Sequence, residues 1–134
     1  MRRFIHARKA VLTPFGATAL RLGVLPAAAA SAEPLAASGC NQQVCTSVTT
    51  PSSNGSFTMT AWERYSGSCF YGHYQMGLIS TNVFVNSSTR TWCWSNDFSY
   101  TFNLSQGKGS YCVIGWEYAS GHYTNVGEPC ENVS

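Results

Sequence analysis

Six cysteines, Cys40, Cys45, Cys69, Cys93, Cys112 and Cys130, stand in a chain of 134 residues, and none precedes residue 40. An even number in a small exported chain reads as three disulfides. Fifteen connectivities are open to six cysteines. The sequential set, Cys40–Cys45, Cys69–Cys93 and Cys112–Cys130, is the one expected, because each pair would close a local hairpin or corner. A domain of about 100 residues buries only about 60–70% of its unfolded surface, so bridges worth about 2–4 kcal/mol each would matter. The competing use of cysteine is zinc. No C-x-x-C occurs, and beyond residue 32 the histidines are only His73 and His122, far apart. No metal site and no catalytic thiol is expected.

Export is read from the charge distribution. Residues 1–32 hold Arg2, Arg3, Arg8, Lys9 and Arg21 and no acid, a charge of +5. Residues 33–134 hold three basic residues and six acids, a charge of −3. Met1–Lys9 is a positive n-region, Ala10–Leu25 is mostly apolar, and Ala30-Ser31-Ala32 is an A-x-A cleavage pattern. Residues 1–32 are expected to be a signal peptide cut after Ala32, and Arg2-Arg3 leaves Sec or twin-arginine export open. Spanning a bilayer takes about 20 apolar residues, and Arg21 splits this run in half, so no membrane anchor is expected. Residues 33–39 read as a mobile tether, and residues 40–134 as one disulfide-stapled domain.

That domain reads as all-β, a small antiparallel sandwich or barrel of about seven strands. Phe98, Tyr100, Phe102 and Leu104 alternate strictly with Ser99, Thr101 and Asn103, the pattern of a half-buried strand. Phe57, Met59 and Ala61 share one side of an earlier strand, whose alternation is expected to break at Trp62. Phe70, Tyr74, Met76 and Leu78 share a face, and Tyr71, His73 and Gln75 lie on the other. Cys112, Ile114 and Trp116 read as the inner face of a late strand. Ser, Gly and Asn turns separate these runs.

Sixteen of the 102 residues after position 32 are aromatic. A small β-domain uses many of them as core. Trp92 and Trp94 flank Cys93, and a Cys93 that points inward would turn both indoles out. Together with Tyr71 and His73 they would form an apolar platform of the kind that stacks on sugar rings or anchors a protein. Two carboxylates, Glu63 and Glu117, each follow a tryptophan. Hydrolysis of a glycosidic bond needs two acids roughly 5–9 Å apart, although an acid at a strand end is more simply solvent-facing. Gly72-His73-Tyr74 and Gly121-His122-Tyr123 echo one another inexactly. No nucleophile elbow, phosphate loop or dinucleotide fingerprint is present. No cofactor is expected, and the few basic residues argue against nucleic acid as a partner.

Two resemblances carry further. Gly39-Cys40-Asn41-Gln42-Gln43-Val44-Cys45 and Gly127-Glu128-Pro129-Cys130-Glu131-Asn132-Val133 resemble the ends of small secreted six-cysteine proteins of Streptomyces-type actinobacteria, a largely uncharacterised group. That implies an extracellular disulfide domain. Trp62-Glu63-Arg64-Tyr65, followed by Ser66 and Cys69, resembles the exposed Trp-Arg-Tyr turn of tendamistat-type α-amylase inhibitors, which are β-sandwiches. Here Glu63 interrupts the triplet. The resemblance implies an interface of Trp62, Arg64 and Tyr65.

The leading expectation is a secreted, non-enzymatic binding domain whose partner is an extracellular protein or a polysaccharide. An inhibitor of a secreted amylase or protease is the alternative. A small glycan-acting hydrolase using Glu63 and Glu117 comes third.

Overall fold

The computed structural model describes residues 35–134, and the expected signal peptide lies outside them. Ten strands form two antiparallel sheets: β1 (Leu35–Asn41), β2 (Val44–Thr49), β3 (Ser56–Glu63), β4 (Cys69–Leu78), β5 (Val83–Asn86), β6 (Arg90–Cys93), β7 (Asp97–Asn103), β8 (Gly109–Ala119), β9 (His122–Gly127) and β10 (Cys130–Val133). The first sheet runs β1-β2-β3-β7. The second runs β10-β8-β4-β5, with β6 also on β4 and β9 also on β8. Among the described residues the only helical segments are 3-10 turns at Ile79–Thr81 and Leu104–Gln106. None is long and apolar enough to cross a membrane.

The core is made where the inner faces of the two sheets meet. Phe57, Met59 and Ala61 of β3 and Phe70, Tyr74, Met76 and Leu78 of β4 are buried, as their alternation requires. Tyr111 and Val113 of β8 and Trp92 of β6 join them. The rings meet edge-on or tilted, Phe57 to Tyr111 at 4.9 Å, Phe70 to Tyr74 at 5.3 Å and Tyr74 to Trp92 at 5.1 Å, the arrangements aromatic quadrupoles favour.

All three disulfides pair as the sequential order predicts. Each joins residues directly opposite one another on neighbouring strands of one sheet: Cys40 and Cys45, Cys69 and Cys93, Cys112 and Cys130. No bridge crosses between the sheets. Three bridges are the mark of a chain that matures where thiols oxidise.

Several expectations need correction. Residues 35–39 are not a tether: β1 begins at Leu35 and is paired with β2 back to Thr49. The small residues Ala36-Ala37-Ser38-Gly39 carry no strand signal of their own, and the hairpin closed by Cys40–Cys45 recruits them. The alternation of β3 does not break at Trp62. It runs on, and Glu63 takes the next inward position. The inner face of β8 is the opposite of the one expected. Tyr111, Val113 and Gly115 face the core, and Trp116 lies on the outer side with His73, its partner across β4. Gly115 is packed so tightly that a Cβ there would press on Val44 and Val126.

Candidate functional site

The outer faces of the two sheets differ in chemistry. On the first sheet, Thr58 faces Thr101 with hydroxyls 3.1 Å apart, and Thr60 faces Ser99 at 2.8 Å. That is an ordinary wet face. The outer face of the second sheet is aromatic instead. His73 lies directly opposite Trp116 across β4 and β8, and Tyr118 lies directly opposite Tyr123 across β8 and β9. Tyr71 occupies the next outward position of β4, opposite Thr91 of β6. Tyr71, Tyr118 and Tyr123 are exposed.

These side chains hold one another in place. The His73 ring meets Tyr123 edge-on at 5.0 Å, and Tyr118 packs on Tyr123 at 5.0 Å. The Trp116 indole N–H donates to Gln75 Oε1 at 3.1 Å. His73, Gln75, Trp116 and Tyr123 line a shallow, open depression of about 280 Å³. Burial lowers the pKa of His73 from its ordinary value, so the imidazole is neutral at pH 7. Its Nδ1 has no partner among the described residues. Gly72 sets the geometry: a Cβ there would overlap the Trp116 carbonyl, so β4 and β8 close at this point only over a glycine.

The expected platform therefore divides. Tyr71 and His73 belong to this face. Trp92 does not, because its indole is only 4% exposed and lies in the core. The Cys69–Cys93 bridge sits on the outer side of the sheet, so Phe70 and Trp92, paired across β4 and β6, turn inward. Arg90 covers the indole, its guanidinium carbon 4.7 Å from the ring centre. Trp94 is 52% exposed because β6 ends at Cys93 and the chain turns away. Its backbone N–H donates to the Ser68 carbonyl, which sets it beside the turn that carries Arg64 and Tyr65. Arg64 lies over the Tyr65 ring at 5.3 Å, while Trp62 is half-buried on the outer side of β3. Sequence reading missed Trp116, Tyr118 and Tyr123. The signal that could have found them is their shared parity with Tyr71 and His73 once β4, β8 and β9 are aligned.

Comparison with protein-family models, curated proteins and solved structures finds no match for this chain. The reading of the face rests on its own chemistry.

The carboxylates do not behave as solvent-facing acids. Glu63 is fully buried, at 0% exposure, and Glu117 is half-buried. Oε1 of Glu63 accepts a long bond from the Tyr65 N–H at 3.4 Å, and Oε2 has no partner among the described residues. Burial raises its pKa. The Tyr65 and Arg64 N–H groups and the Ser68 hydroxyl act against that, and nearby Glu117 adds to it. A carboxyl with no exposed surface cannot meet a glycosidic oxygen, so the pair lacks one of the two acids a glycosidase needs. The Gly-His-Tyr echo has no structural counterpart either, since Tyr74 is core and Tyr123 is surface.

Glu63 makes stability depend on pH in a defined direction. A carboxyl whose folded pKa is raised binds its proton more tightly in the folded state. Its contribution is full below the unfolded pKa and is lost as pH rises through the raised folded value. The urea midpoint of Glu63→Gln is expected to exceed that of the native chain at pH 7, and the gap should close towards pH 4. A gap that is absent at pH 7, or that widens in acid, would contradict the assignment.

Proposed function

We propose that the protein is a secreted, non-catalytic binding domain whose ligand is a neutral polysaccharide laid across the outer face of the β6-β4-β8-β9 layer. The observation that carries this reading is the set of Tyr71, His73, Trp116, Tyr118 and Tyr123 on one solvent-facing sheet surface. Aromatic rings offer flat apolar area to the C–H faces of sugars, and interspersed polar groups take the hydroxyls. Gln75, Asn125 and Thr91 supply polar groups on this side. None of these outer residues carries a formal charge when His73 is neutral, which favours an uncharged ligand over an acidic one. Four strands about 4.8 Å apart make a face wide enough for roughly two or three sugar rings.

The test is titration against a panel of neutral and acidic polysaccharides, followed by tryptophan fluorescence. Saturable binding to a neutral glycan supports the reading. Binding to none, or only to acidic ones, sinks it. Affinity is also expected to be level between about pH 7 and 8 and to fall in acid as His73 gains charge and solvation.

The second reading, inhibition of a secreted hydrolase, is favoured by one observation: the exposed Trp94 is tied through its backbone to Ser68, in the same turn that carries the exposed Arg64–Tyr65 stack. It predicts stoichiometric loss of amylase or protease activity, weakened by Arg64→Ala.

A further inference from the structure

At the far end of β4 from the aromatic face a second, half-open pocket lies between the edges of the two sheets. Leu78, Thr81, Val83, Val85, Phe102, Gln106 and Tyr111 line a cavity of about 250 Å³. From His73 to Leu78 is five residues of strand, about 17 Å, so the two sites are separate. The cavity follows from the topology. Val83 and Val85 pair with Leu78 and Met76 and share their inward side. The first sheet ends at β7, however, and Val83 is left 64% exposed.

The walls are apolar and the nearby polar groups are already engaged. The Tyr111 hydroxyl donates to the Gly107 carbonyl at 2.7 Å, and the Thr81 hydroxyl donates to the Leu78 carbonyl at 3.0 Å. Gln106 Oε1 accepts from the Asn103 N–H at 3.1 Å, which caps the 3-10 turn and fixes the side chain. The Gln106 side-chain amide then retains N–H donors. No carboxylate or basic side chain lines the space. An enclosed apolar cavity of about 150 Å³ suffices to admit benzene, so by volume this half-open pocket has room for one or two rings.

We propose that this cavity is a binding site for a small uncharged molecule with an apolar body of one or two rings, or a short branched chain, and one acceptor oxygen that meets the Gln106 amide. The apolar part replaces contacts that Val83 and Val85, left partly uncovered at the sheet edge, lack. A charged ligand would lose its hydration with nothing to compensate it. The site is independent of the aromatic face and does not depend on a glycan being its ligand.

The experiment uses the oxidised protein and three probes, indole, acetophenone and benzoate, followed by amide chemical shifts. Acetophenone and indole are expected to give saturable shifts at Val83, Val85, Phe102 and Gln106, with acetophenone the tighter of the two. Benzoate should bind at least tenfold more weakly. Val83→Glu changes an exposed position, so folding is retained, and it should weaken acetophenone at least tenfold while leaving the shifts of Trp116 and Tyr123 in place. Shifts that do not saturate, that centre elsewhere, that favour benzoate, or that survive Val83→Glu unchanged would overturn the proposal.

Discussion

Trp116→Ala is expected to lower affinity for the glycan by about 30-fold, the effect of losing a central aromatic anchor worth about 2 kcal/mol. The indole is held by Gln75 and lies across from His73, so its position is set before a ligand arrives. A pre-positioned ring loses little entropy on binding, which is why one truncation should cost so much. Tyr123→Ala should act in the same direction, because the ring touches both His73 and Tyr118. Trp92→Ala provides the contrast. It empties a core position and should cost about 3–5 kcal/mol of stability, with glycan affinity unchanged in the fraction that remains folded. Isothermal titration and urea unfolding on the same variants separate the two outcomes. If Trp92→Ala abolished binding and Trp116→Ala did not, the assignment of the face would be wrong.

Reduction of the bridges is expected to unfold the chain. In the loop-entropy description, closing sequence separations of 24, 18 and 5 residues stabilises by about 3.5, 3 and 2 kcal/mol respectively. Together that is roughly 9 kcal/mol, comparable to the whole stability of a small domain, about 5–15 kcal/mol. Circular dichroism and tryptophan emission in excess reductant should report an unfolded chain at 37 °C. Replacing Cys69 and Cys93 together by serine should lower the unfolding free energy most, and the Cys40 and Cys45 pair least. A reduced chain that kept native emission and cooperative melting would show that packing alone suffices.

Much of the fold was legible because periodicity is local. The paired runs in β3 and β4 name residues that share a side, and Phe57, Met59, Phe70 and Met76 are buried accordingly. The strict alternation over Phe98–Leu104 is met only in part: Phe102 is buried, but Phe98 and Leu104 are half-buried and Tyr100 is exposed, because β7 is an edge strand and ends at Asn103. Alternation does not say which side faces in when both sides are large and apolar. In β8 the choice lay between Tyr111-Val113-Gly115 and Cys112-Ile114-Trp116. The second set is the more hydrophobic, yet the first is inside, because Gly115 must pass close under Val44 and Val126. The same ambiguity misplaced Trp92. A disulfide was expected to point into the core, whereas these join opposed residues within a sheet and Cys69 is exposed. Glu63 was illegible for a different reason. No sequence pattern marks an acid that continues an apolar face, and only the register of β3 against β2 puts it inside.

Because every bridge lies within one sheet, no covalent cross-link joins the layers, which are held by side-chain packing and a few hydrogen bonds, such as Gln43 N–H to the Val126 carbonyl and Glu128 N–H to Asn41 Oδ1. In an oxidising medium, heat can part the two leaves while three short covalent rings persist. Each ring keeps one pair of residues in the opposition it needs. The denatured chain thus carries a partial memory of strand alignment, and its return should be faster than that of a chain starting from free thiols.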